Sequence, residues 1–171
     1  MSLLPVDDAV AAILARVPET QAETVALPQA IGRVLAAPIV ASHNQPPFNA
    51  SAMDGYAVRA ADATPGASLT IIGMSQAGAG FAGTVGPGQC VRIFTGAPVP
   101  LGADAVIMQE LAAVAGETVS FSEQPVSGRS IRPVGNDFAG GQTLVGAGRR
   151  LNAMHLAVAA AANLPTLSVN R

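Results

Sequence analysis

Val6, Ala9, Val10, Ile13, Leu14 and Val17 recur at intervals of three and four, the spacing that lines one face of a helix. Pro5 lies near its start, Asp7 and Asp8 in the first turn favour the helix dipole, Arg16 stands near the end and Pro18 stops the pattern. The period then changes. Residues 24–27 read as a short strand, 28–31 as one helical turn, and after a break at Gly32 two apolar runs, 33–36 and 38–41, read as extended chain. Ser42-His43-Asn44-Gln45-Pro46-Pro47 has the composition of a linker and marks a boundary.

From Tyr56 to about Met108 short β-prone segments alternate with glycine and proline, strongest at 69–72, 90–94 and 105–108. Residues 118–121 add a further strand, with Gly116 as its hairpin turn. This spacing predicts a compact, β-rich, barrel-like domain. The run Ala77-Gly78-Ala79-Gly80-Phe81-Ala82-Gly83 lacks the Gly-Lys-Ser/Thr ending of a phosphate loop and reads as a flexible hairpin connection. Past Asp137, Gly140-Gly141 is a hinge-like pair and 143–145 a strand. Residues 151–164 form a helix with Asn152 as N-cap and Pro165 beyond its end, so apolar that burial on several faces, hence an interface, is expected; 166–169 are a last strand. Segments 21–40 and 142–171 flank the β-rich stretch, which predicts one split α/β domain. The fold expected is mixed α+β: an N-terminal helix over 1–20, the split domain, and a β-rich insert over 41–141 carrying the candidate loops.

Composition narrows the function classes. Half of the 171 residues are apolar, enough for a core without staples. The net charge is −2, lysine is absent and all nine basic residues are arginines, so neither nucleic acid nor an acidic membrane is an expected partner. A polyanion partner would need a local arginine cluster; the candidates are Arg129 with Arg132 and Arg149 with Arg150, against the commoner reading of solvated loop residues. Cys90 is alone, which excludes an intrachain disulfide and a cysteine-based zinc site, suits a reducing compartment, and points to a small buried strand residue. Met1-Ser2-Leu3-Leu4-Pro5 lacks the pattern of a secretory signal, and no apolar run reaches the roughly 20 residues of a membrane span, so a cytoplasmic location is expected.

The candidate chemistry sits in loops. Pro46-Pro47-Phe48-Asn49-Ala50-Ser51-Ala52-Met53-Asp54-Gly55-Tyr56-Ala57-Val58-Arg59 places one carboxylate before a glycine and the chain's only tyrosine. Asp54 would be pinned at a strand start, or it would cap its own backbone in a surface turn. In Thr95-Gly96-Ala97-Pro98 a hydroxyl meets a glycine that permits close backbone approach, so donors could face an anionic oxygen; an ordinary turn is the alternative. Asp137, in Gly135-Asn136-Asp137, is a third polar group in a loop after an arginine-bearing strand. His43 and His155 lie far apart without metal-ligand spacing and read as structural, and no Gly-x-Ser-x-Gly elbow is present.

The Ser-Ala-Met-Asp-Gly-Tyr-Ala core, with Gly32-Arg33-Val34-Leu35-Ala36, Arg92-Ile93-Phe94-Thr95-Gly96-Ala97-Pro98-Val99-Pro100, Ala105-Val106-Ile107-Met108-Gln109-Glu110 and Ile131-Arg132-Pro133-Val134-Gly135-Asn136-Asp137, resembles the MoeA family in the same order. These are molybdopterin molybdenumtransferases, whose animal relatives include the E domain of gephyrin. The resemblance spans nearly the whole chain but only the front part of the family. It implies that Asp54, Thr95 and Asp137 face an active site completed by the pterin-binding domain of the other subunit of a homodimer. Adenylated molybdopterin and molybdate are the implied substrates, with AMP released and Mg²⁺ assisting. Asp54 and Asp137 would then act through Mg²⁺ or water, because anionic substrates need charge compensation beside carboxylates. Thr95 would donate to a phosphate or molybdate oxygen beside Gly96, and Arg132 would add a supporting charge. The resemblance also implies that the first helix leans on a following domain, and that this chain alone is inactive. A noncatalytic dimerisation or scaffold module is the alternative.

Overall fold

The computed structural model describes residues 4–18 and 20–171; Met1-Ser2-Leu3, part of the stretch read for a leader, lies outside them. In chain order the elements are α1 (Val6–Leu14), β1 (Ala22–Ala26), β2 (Ile39–Val40), β3 (Ala50–Ser51), β4 (Gly55–Val58), β5 (Ser68–Ser75), β6 (Gln89–Ile93), β7 (Ala105–Met108), β8 (Ala112–Ala115), β9 (Thr118–Phe121), β10 (Ile131–Arg132), β11 (Thr143–Val145), α2 (Ala153–Ala161) and β12 (Thr166–Asn170). Contacts divide them into two units, Met1–Val40 with Thr143–Arg171, and Ala41–Gln142.

In the first unit β1 pairs antiparallel with β12, Thr24 opposite Ser168, and β2 pairs antiparallel with β11. Leu35, Ile39, Val145, Leu151, Leu167 and Val169 form its core, so both pieces of chain contribute. The helical turn read at 28–31 is a 3-10 turn, Leu27–Ala30, with Pro28 at its start. Helix α1 ends at Leu14 because the next amides, of Arg16 and Val17, reach back only three residues, to Ile13 and Leu14. None of its residues is buried.

Helix α2 starts where Asn152 predicts. The Asn152 side chain accepts from the His155 amide while His155 Nδ1 accepts from the Asn152 amide, a complete capping box. It stops at Asn163, whose left-handed φ of 57° turns the chain so that the Leu164 amide bonds the Ala159 carbonyl. Within this chain only Ala159 of α2 is buried, and Met154 is exposed. Five of its nine residues are alanines, so much of its hydropathy comes from small side chains.

The second unit is built on a curled, half-barrel sheet of six strands in the order β7-β4-β6-β5-β9-β8. Strands β4, β6 and β7 are apolar on both faces because both are covered. Tyr56, Val58, Leu69, Cys90, Ile107, Val119 and Phe121 pack on one side, and Ala57, Val85, Val91, Ile93 and Val106 on the other. Strand β4 is buried throughout, between β6 and β7. Gly55 opens it for a steric reason: a Cβ there would lie 1.9 Å from the Ile107 carbonyl oxygen.

The glycine-rich run opens on a tight hairpin turn, Gln76 and Ala79 exchanging both backbone bonds around Ala77-Gly78, but the run as a whole does not join antiparallel strands. Strands β5 and β6 are parallel, and parallel neighbours need a crossover connection. Gly83 in the run and Gly73 in β5 make room for one ring, since a Cβ on Gly73 or Gly83 would fall 2.5 or 2.6 Å from atoms of Phe81. Strand β8, absent from the sequence reading, pairs with β9 around Gly116, whose φ is 62°. Among the described residues no helix is long and apolar enough to cross a membrane.

Candidate functional site

Asp54 is the last residue before β4, and its approach is shaped by Ser51. The buried Ser51 hydroxyl donates to the Met53 carbonyl and accepts from the Met53 amide, folding residues 51–53 into a tight turn. The Gln109 amide then donates to the Asp54 carbonyl, holding the backbone where β7 ends. From the end of β6, the amide and the hydroxyl of Thr95 both donate to Asp54 Oδ1, each at 2.7 Å. The turn that presents Thr95 needs a glycine next, since Gly96 has φ 80° and its amide donates to the Ser51 carbonyl.

Both donors favour the charged carboxylate. The Thr95 amide first, then its hydroxyl, and then the nearby Arg92 charge hold the Asp54 carboxyl below the usual carboxylate range. Asp54 Oδ2 has no hydrogen-bond partner among the described residues. Asp54 is therefore pinned at a strand start, with an ionised carboxylate and one oxygen left over. Thr95 spends its only hydroxyl proton on Asp54, so in this arrangement it can offer a ligand only lone pairs.

Asp137 belongs to a second pair. Arg132 Nη2 donates to both of its oxygens, at 2.8 and 2.7 Å, and this guanidinium lowers the Asp137 pKa, with Asn136 adding a weaker contact. Arg132 is thus already matched to an acid, as Arg129 is to Glu123, so the two do not form a free basic patch.

Strand β3 brings the pairs to one region. One edge takes the turn after β6: Ala50 bridges to Pro98, and Ser51 exchanges bonds with Gly96 and Ala97. The other edge pairs with β10, Ser51 opposite Ile131 and Ala50 opposite Arg132. The Asp54–Thr95 and Arg132–Asp137 pairs are therefore laced to the same two residues from opposite sides. No hydrogen bond or ion pair joins them, and the described residues contain no group of three or more His, Cys, Asp or Glu that could hold a metal.

Sequence reasoning missed Arg92 and Gln109. The Arg92 guanidinium lies 5.1 Å from the Tyr56 ring centre and 4.9 Å from that of Phe94, and donates to the Gly55 carbonyl and to Gln109 Oε1. It thereby ties the residues after Asp54 to the residue before Thr95. Alternation along β6 puts Arg92 and Phe94 on one face, but only the β4–β6 register, Tyr56 opposite Arg92, reveals the stack. The histidines are accounted for locally: His43 meets Ser42 and the edge of Phe138, and His155 caps α2.

Residues 4–163 match the family described as the MoeA N-terminal region (domain I and II). A molybdopterin molybdenumtransferase of Haemophilus influenzae is 36% identical over 171 residues, 99% of this chain and 42% of that protein. Molybdopterin molybdenumtransferase 2 of Mycobacterium tuberculosis is 40% identical over 151 residues, 85% of this chain and 37% of that protein. A crystal structure of the molybdopterin biosynthesis MoeA protein from Pyrococcus horikoshii superposes with a TM-score of 0.89 at 32% identity, covering 98% of this chain and 46% of that one. The chain therefore spans about two fifths of the length of these relatives.

Proposed function

The chain belongs to the MoeA family, and from that premise we propose that it is the N-terminal part of a molybdopterin molybdenumtransferase acting in molybdenum cofactor biosynthesis. The reaction proposed inserts molybdate into adenylated molybdopterin and releases AMP, in a cytoplasmic homodimer. The names of the relatives support the reaction class. The observation that carries the assignment of a site is Asp54: ionised, fixed by two donors on one oxygen, and with its other oxygen uncommitted.

That arrangement fits a hard cation. Mg²⁺ is commonly held by one or two carboxylates together with substrate phosphates and water, so a dedicated cage of three protein ligands is not required. Asp54 would hold it through Oδ2, and the lone pairs of the Thr95 hydroxyl are a further hard oxygen. Asp137 would join as a ligand only in exchange for its ion pair with Arg132, whose guanidinium would then be released toward an anionic substrate. When bound, Mg²⁺ would offset the repulsion between the carboxylates and the anionic phosphate and molybdate oxygens. Gly96, where an added Cβ would meet nothing within 4 Å, leaves the backbone beside Thr95 open to close approach by substrate.

Asp54→Asn in the full-length enzyme is the test, because it keeps an oxygen for Thr95 while removing the charge. Cofactor formation from adenylated molybdopterin and molybdate should fall sharply with folding unchanged. Turnover equal to that of the parent would refute the assignment.

A further inference from the structure

Gly146, Ala147, Gly148, Arg149, Arg150, Asn152 and His155 line a cavity of about 520 Å³ lying wholly within the first unit. The lining contains no acid. Of its side chains, only Asn152 and His155 own acceptor atoms, and both are spent. Asn152 Oδ1 takes the His155 amide and His155 Nδ1 takes the Asn152 amide. Because Nδ1 accepts, the neutral imidazole carries its proton on Nε2, as a donor. Arg150 is oriented by one bond, Nε to the Gly32 carbonyl, which leaves both terminal nitrogens to give. The Arg149 guanidinium has no hydrogen-bond or ion-pair partner among the described residues.

Of the seven other arginines only Arg16, just past the end of α1, is likewise without a side-chain partner among the described residues, and it stands alone. Arg33, Arg59, Arg129, Arg132 and Arg171 each pair with a carboxylate, and Arg92 is enclosed by two rings. Here two adjacent guanidiniums border one cavity whose uncommitted side-chain polar atoms are all donors. The ligand complementary to such a lining is an anion with several acceptor oxygens, and planar guanidiniums match phosphate oxygens two at a time. Small residues on the loop side, with nothing within 4 Å of a Cβ added to Gly146 or Gly148, leave more room than a bare ion needs.

We infer that the cavity between the Gly146–Arg150 loop and the start of α2 is a binding site for a small phosphate-bearing molecule, held by Arg149, Arg150 and His155. The site is independent of the function proposed above, since none of its residues belongs to the Asp54 region.

Titration of this chain with inorganic phosphate and with glycerol 3-phosphate, followed residue by residue in amide NMR spectra at ionic strength held constant with chloride, tests it. Shifts should concentrate over residues 146–155. Arg149→Ala, which removes no hydrogen bond or ion pair from the fold, should weaken binding about tenfold. His155→Glu keeps the capping box, because a glutamate at that position also accepts from the N-cap amide, yet it puts a negative charge in the cavity. It should abolish binding with the melting temperature unchanged. Tighter binding of the ester would identify an organic phosphate as the ligand, and equal binding the phosphate group alone. Shifts spread equally over Arg16, Arg59 and Arg171, or either variant binding as the parent does, would overturn the proposal.

Discussion

Replacing Gly55 by alanine adds one methyl group at the most crowded point of the six-stranded sheet. The new Cβ would stand 1.9 Å from the Ile107 carbonyl oxygen, 2.8 Å from its carbon and 3.1 Å from the Met108 Cα. Ordinary contact lies near 3.5 Å, so β7 would have to withdraw by more than about 1 Å. All three neighbours are backbone, and no side chain can rotate away. Strand β7 cannot yield cheaply, since Ala105, Val106 and Ile107 are fully buried on the two faces of the sheet. Overpacking of a well-filled core usually costs about 1–3 kcal/mol, and a rigid backbone neighbour puts this case at the upper end, about 3 kcal/mol. For a chain of this size that lowers Tm by roughly 10 °C. Gly146→Ala is the matched control: its Cβ meets nothing within 4 Å and its φ is ordinary, so the change should leave stability equal or slightly raised. Thermal and urea unfolding of both variants measure the difference. A Gly55→Ala melt within 2 °C of the parent would show that β4 and β7 are not locked together as described.

Thr95→Val removes the hydroxyl from Asp54 Oδ1 but leaves the amide bond. The Asp54 pKa, followed by carboxyl carbon shifts, should rise toward its ordinary value without reaching it; no change would dismiss the hydroxyl contact. The Asp137 pKa is depressed in the fold, so the stability it contributes is present above the unfolded value near 3.9 and is lost as pH falls through the folded one. Arg132→Gln should accordingly destabilise the chain at pH 7 and match the parent near pH 2; a deficit that persists at low pH would point to lost packing instead. Burial pushes the Cys90 thiol up to about 12, so alkylation at pH 8 should proceed only as fast as the chain opens, and rapid labelling of the folded protein would contradict the buried β6.

What the sequence could convey followed the range of each interaction. The Asn152 cap, the stop before Pro165 and the strands near 90–94, 105–108 and 118–121 depend on neighbours a few residues away, and their signals are local. The parallel β5–β6 pairing was hidden because the tight turn at Ala77-Gly78 is a local signal, and nothing in residues 77–83 tells how the following strand pairs. The modest burial of α2 within this chain is equally local in origin, since hydropathy counts alanine as apolar while packing scarcely registers it. Asp54 and Thr95 were recognisable from their glycines. That Thr95 gives its proton to Asp54 depends on a contact across 41 positions, and the Arg92 stack on strand register, neither of which composition or periodicity encodes.

The second unit enters and leaves the chain at one point. The Ala41 amide bonds the Gln142 carbonyl at 2.9 Å, and the Gly141 amide returns to the Ala41 carbonyl at 2.7 Å. A segment whose two ends are stapled side by side behaves as a cassette: it can be cut out and expressed alone without stretching either terminus. The host it leaves, with β2 and β11 already adjacent and antiparallel, needs only a short turn to reseal.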